Sequence, residues 1–91
     1  MRKYIIEREI PGVGKMDSAG LSGAAGKSND VLSKLGPGIQ WLESYVTDDK
    51  IVCVYLAEDE GLIRKHAADS GFPATHIREV RAIIDPSTAQ G

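Results

Sequence analysis

Apolar and polar positions along the chain change period four times, and each change marks an element. From Lys3 to Ile10 an apolar run (Tyr4, Ile5, Ile6) passes into mixed alternation and stops at Pro11-Gly12, a pair that breaks a strand ladder and turns the chain. Asp17 or Ser18 then offers a helix-capping oxygen, and Leu21, Ala24, Ala25, Ser28, Val31, Leu32 and Leu35 recur at spacings of three and four. That spacing predicts a helix with one stripe for a sheet, ended by Gly36-Pro37. Gly20, Gly23 and Gly26 lie in its first half and make that half the weaker, each costing roughly 1 kcal/mol against Ala. Ile39 to Thr47 and Ile51 to Leu56, rich in β-branched and aromatic residues around Asp48-Asp49-Lys50, predict a β-hairpin. Glu58-Asp59-Glu60 opens a second helix whose inward stripe is Leu62, Ile63, His66, Ala67 and Ser70, and Gly71 closes it. Thr75 to Ile84 alternates as a last strand, and the residues from about 87 to 91 read as a frayed tail.

The order βαββαβ in one short domain, 1–91, predicts the ferredoxin-like α+β fold: a four-stranded antiparallel sheet with two helices on one face. Alternation then assigns Ile6, Leu42, Val46, Val52, Val54, Leu56, Val80, Ala82 and Ile84 to the helix side. It assigns Ile5, Glu7, Glu9, Ile39, Trp41, Glu43, Tyr45, Ile51, Cys53, Tyr55, Ile77, Glu79, Arg81 and Ile83 to the open side. An open face so apolar and aromatic marks an interface, and two such sheets face to face make a homodimer around a polar, aromatic cavity.

Size and charge narrow the function. A chain of 91 residues buries only about 60–65% of its surface on folding, so a partner subunit would help. A formal net charge of −2 gives no pull toward nucleic acid or an anionic membrane. No apolar run approaches the ~20 residues of a membrane span, and the first residues lack the apolar region of a signal peptide, so a cytoplasmic location is expected. The single cysteine, Cys53, cannot form an internal disulfide and reads first as a small buried hydrophobe.

Few motifs carry chemistry. Gly23-Ala24-Ala25-Gly26-Lys27-Ser28 has the ending of a phosphate-binding loop, but Leu21 stands where the motif needs its first glycine, and the segment lies within a periodic helix. A glycine-containing helix is the simpler reading. His66 points toward the sheet, as a satisfied core histidine, a metal ligand or a proton carrier, whereas His76 reads as a surface residue. Glu7, Glu9, Glu43 and Glu79 on one expected face are either acid–base or metal-binding groups, or partners of Arg8 and Arg81 at a dimer edge. Carboxylates with Cys53 and an imidazole form a mixed oxygen, sulfur and nitrogen set suited to a borderline divalent metal, although no HxH, CxxC or HxxxH spacing accompanies them.

Several strings together resemble a known family: Tyr4 to Gly12, Gly36-Pro37-Gly38-Ile39-Gln40-Trp41, Ser44 to Lys50, Cys53-Val54-Tyr55, Ile63 to Ala67 and Ile84 to Thr88. They are similar to small bacterial ferredoxin-like proteins of a domain-of-unknown-function family whose described representative is a dimeric nickel-binding protein. The resemblance implies a homodimer on the open sheet face and binding of nickel or a similar divalent transition metal, with no organic cofactor. If a metal binds, the residues of this chain expected to hold it are Glu9, Glu43, Cys53 and His66, in a cavity lined by Glu7, Trp41, Tyr45, Tyr55, Glu79 and Arg81. Nickel-binding members carry histidines near the end of the first strand. This chain has Arg8 and Glu9 there, which removes imidazoles and adds a cation.

Three functions follow as expectations. The first is a homodimer binding a divalent metal or small molecule. The second is an enzyme of the dimeric α/β-barrel type using Glu43 and His66 as acid–base groups, by analogy of fold. The third is a ligand-free structural or regulatory dimer whose polar groups specify register.

Overall fold

A computed structural model of the chain describes residues 1–91. Strand β1 (Arg2–Glu9) leads through a short 3₁₀ turn at Val13–Lys15 into helix α1 (Ser18–Leu35). Then come β2 (Ile39–Val46), β3 (Lys50–Ala57), helix α2 (Glu60–Ser70) and β4 (His76–Glu79). The strands pair antiparallel in the order β2-β3-β1-β4, which is the expected ferredoxin-like sheet.

Both helices begin on an aspartate whose carboxylate accepts a backbone N–H of the first turn: Asp17 from Gly20 at 2.8 Å and Asp59 from Leu62 at 3.0 Å. Gly71 ends α2 at φ +77°, a left-handed conformation that favours glycine. The inward stripe of α2 is as predicted, with Ile63, His66 and Ser70 buried. In α1, Ser28 is buried while Ala24, Ala25, Val31, Leu32 and Leu35 are half-buried.

The faces of the sheet differ from the expected ones. Tyr4, Ile6 and Arg8 of β1 pair with Tyr55, Cys53 and Ile51 of β3, and this row, with Ile39, Trp41, Ala57 and Ile77, packs under the helices. Glu7 and Ile5 pair with Val52 and Val54 on the open side. The expected assignment was therefore correct for β1 and reversed for β3 and β4. Ile51 to Leu56 is apolar at every position, so alternation could not set its phase. In β2 a bulge between Trp41 and Glu43 changes the phase within the strand. Ile39 and Trp41 face the helices, whereas Leu42, Glu43 and Tyr45 belong to the open side. Leu42, Val52, Val54, Leu56, Val80, Ala82 and Ile84 thus leave the expected core; Ile39, Cys53 and Tyr55 enter it, and Trp41 packs against it.

Strand β4 is shorter than Thr75–Ile84. It runs antiparallel to β1, from Glu7 opposite His76 to Tyr4 opposite Glu79, and one more bond joins Val80 N–H to the Lys3 carbonyl at 2.8 Å. Past that point only Arg2 of β1 remains, and Ile83 and Ile84 stand 70% and 78% exposed. The last residues form a 3₁₀ turn at Pro86–Gln90, capped by Asp85, whose carboxyl is held below its usual range by the Ser87 hydroxyl and backbone N–H.

The loop after β1 is pinned to the hairpin turn. Gly14 donates its N–H to the Asp48 carbonyl at 2.9 Å, and a Cβ at Gly14 would lie 2.7 Å from Asp48 Cα. The atoms it would meet are backbone and cannot swing aside. Gly14→Ala is expected to destabilise the protein by about 1–3 kcal/mol through this overpacking. Thermal unfolding checks it, with Gly23→Ala as the control: there a Cβ meets nothing within 4 Å, and the helix interior is expected to gain up to about 1 kcal/mol.

Candidate functional site

Apart from Leu21, the first half of α1 presents small side chains to the sheet, and the space they leave is a cavity of about 520 Å³. Ala24, Ala25 and Leu21 form its helix wall, Trp41, Ile51 and Val46 its sheet wall, and Phe72 and Pro73 one end. Such a volume lies in the range used for small ligands, about 300–1,000 Å³.

A row of buried polar groups closes the other walls. Arg8, Cys53, Tyr55 and Ser28 line the cavity, with His66 behind Ser28. The Arg8 side chain is 2% exposed; Nε donates to Cys53 Sγ at 3.4 Å and Nη1 donates to the Pro73 carbonyl at 2.9 Å. Its Nη2 is buried with no hydrogen-bond partner. The ion pairs of the chain are Arg2–Glu79, Arg64–Glu60, Lys65–Asp69 and Arg81–Glu79, so no carboxylate neutralises Arg8. The Arg8 guanidinium and Lys27 Nζ both approach the Phe72 ring, at 6.0 and 5.6 Å from its centroid, which puts a second cation near that end.

His66 Nε2 lies 3.1 Å from Ser28 Oγ, its ring is tilted against Tyr55 at 5.4 Å between centroids, and Nδ1 is buried without a partner. Burial, seconded by the charge on Arg8, holds its pKa below the ordinary histidine value. Burial likewise pushes the Tyr55 phenol up, with Ser28 pulling partly back. On the sheet wall Trp41 Nε1–H donates to Ser44 Oγ at 2.9 Å.

The structure divides the residues expected to form one metal site. Cys53 and His66 lie on the helix side, and Glu9 borders the cavity while exposed to solvent. Glu43 is on the open face, where it accepts a hydrogen bond from Tyr45 that raises the phenol's pKa. Of the expected cavity lining, Trp41 and Tyr55 line the helix-side cavity, Glu7 and Tyr45 belong to the open face, and Glu79 pairs with Arg2 and Arg81 at the β4 edge. Arg8 and Ser28 were not among the expected site residues. The alternation that places Ile6 inward places Arg8 inward as well, and Ser28 lies on the helix stripe, so both positions were readable in the sequence.

Residues 4–80 match the family described as "Nickel responsive protein SCO4226-like". The chain belongs to this family. The crystal structure of SCO4226 from Streptomyces coelicolor A3(2) superposes with a TM-score of 0.75 at 14% identity, covering 90% of this chain and 99% of that one. At that identity the likeness shows the shared fold. No curated protein matches the chain.

Nickel, which the family description names, can be tested against the residues present. No three His, Cys, Asp or Glu side chains are gathered where they could hold one metal ion. Next to Cys53, the one soft ligand, stands the Arg8 guanidinium. Within one chain, the residues present do not gather into a donor set for the metal.

Because the folded-state pKa of His66 is depressed, its neutral form stabilises the fold at pH above the ordinary value near 6.5, and that contribution is lost as pH falls below it. The melting temperature is expected to drop between about pH 7 and pH 5 more steeply in the parent than in His66→Gln, which keeps a partner for Ser28 and does not titrate. Melting curves across that range check it; parallel curves would refute it.

Proposed function

We propose that this protein is a small homodimeric binding protein that holds an organic ligand in the cavity between α1 and the sheet and associates through the open sheet face. The observation that supports it is the juxtaposition of an apolar cavity with a buried polar row whose Arg8 Nη2 and His66 Nδ1 have no partner within the chain. Buried polar groups are nearly always hydrogen-bonded, and a group left without a partner calls for an explanation such as a ligand. Catalysis by Glu43 and His66 has less support, because the two lie on opposite faces of the sheet.

The dimer reading rests on the open face. Ile5, Val52, Val54 and Leu56 form its centre, with Leu42 and Tyr45 46% and 55% exposed beside them. Sedimentation equilibrium is expected to give the mass of two chains for the parent and of one for Val54→Lys, which sets a cation in the middle of the patch. A monomeric parent would overturn the dimer.

The cavity is tested by titration with an environment-sensitive apolar dye, followed by Trp41 fluorescence. The dye is expected to saturate one site per chain and to be lost in Ala25→Phe, whose ring would fill the space. Nickel titrated under the same conditions is expected to give no saturable heat. Tight nickel binding lost in Cys53→Ala or His66→Ala would restore the metal reading.

A further inference from the structure

We propose that the occupant of the cavity is a small organic acid with an apolar body, its carboxylate taken by the Arg8 guanidinium. The proposal rests on the reading of the cavity as the ligand site and names the ligand's chemistry.

Two features of the cavity point to such a molecule. Its walls are aliphatic and aromatic from α1, β2, β3 and the segment after α2, so the body of the ligand is apolar. Its buried ionised group, Arg8, is a cation without a counter-ion. Taking a guanidinium out of water costs several kcal/mol unless a paired anion compensates, and within this chain Arg8 has a thiol, one carbonyl and the nearby Tyr55 phenol, but no carboxylate. The planar fork of Arg accepts a carboxylate in a way that a point cation does not. Nε and one N–H of Nη1 are engaged, so the second N–H of Nη1 and the unpartnered Nη2, which lies buried beneath the cavity wall, are the pair left for a carboxylate.

The alternatives are weaker on the same grounds. A cationic ligand or a metal meets Arg8 and, at the Phe72 end, Lys27. A neutral apolar molecule would fill the walls but leave Arg8 as it is. Glu9 borders the cavity, yet it makes no ion pair with Arg8 and stays exposed, so it does not supply the missing charge.

The test compares decanoate, 1-decanol and decyltrimethylammonium below their aggregation limits, with Trp41 fluorescence and displacement of the dye as readouts. Decanoate is expected to bind about tenfold or more tightly than decanol, the difference that a hydrogen bond to a charged group supplies, and the cation is expected not to bind. In Arg8→Met decanoate should fall to the level of decanol, while decanol binds as in the parent. Arg8→Lys, which keeps the charge and loses the fork, should bind decanoate at an intermediate level.

The comparison within the parent protein decides the matter even where a variant unfolds. Equal affinity for decanoate and decanol, or no binding of either while the dye still binds, would overturn the acid and leave the cavity reading standing. Failure of the dye as well would overturn both.

Discussion

The structure turns on one buried cation. Arg8 sits on the helix side of β1, in phase with Tyr4 and Ile6, and reaches across to Cys53 on β3 and to the Pro73 carbonyl between α2 and β4. It therefore ties the central strands to the segment that delivers the edge strand. An apolar side chain there would pack without any desolvation cost, and replacing buried charges by hydrophobic residues is often neutral or stabilising. A guanidinium at this position is not explained by stability. Its neighbours share the consequence: the charge adds to burial in keeping His66 neutral, and the cavity stands open beside it.

The second constraint is the composition of α1. Leu32 and Leu35 anchor its second half against the core, whereas Gly20, Gly23, Gly26, Ala24 and Ala25 leave the first half with little to bury. A void under a helix costs stability in proportion to its volume, about 24 cal/mol per Å³ in fully enclosed cases. Larger side chains at Ala24 or Ala25 would remove that cost, and a molecule filling the same space offsets it when bound. Small residues on the helix and an unneutralised arginine on the strand are two separate departures from best packing, and they meet at one place.

Much of the fold could be read from the chain because its signals were redundant. The stripes of α1 and α2, the aspartate caps, Gly71 and the hairpin each agree with their neighbours, and the element order then leaves few topologies. The division of the sheet into faces could not be read, since β3 is apolar on both sides and the bulge at Leu42 leaves no mark in the sequence. Cys53, Tyr55 and Trp41, expected on the open face, lie on the helix side instead. Glu43, with an ordinary position in the alternation, was grouped with them when the sheet lies between them. Arg8 was noticed as a replacement for histidine, and what a sequence could not supply was the lack of any carboxylate near enough to pair with it.

The two faces of the sheet now carry different physical problems. The open face is aliphatic, and nothing there is orphaned; the Glu43 carboxylate accepts from Tyr45. A surface of that kind is satisfied by another surface, because area removed from water is all it needs. The helix side already has its apolar cover and lacks something else, a negative charge and two hydrogen-bond partners. A second protein copy covering the open face supplies neither of these, since the sheet stands between. The proposed dimerisation and the proposed ligand binding therefore make separate demands on this molecule, and Arg8 belongs to the second of them.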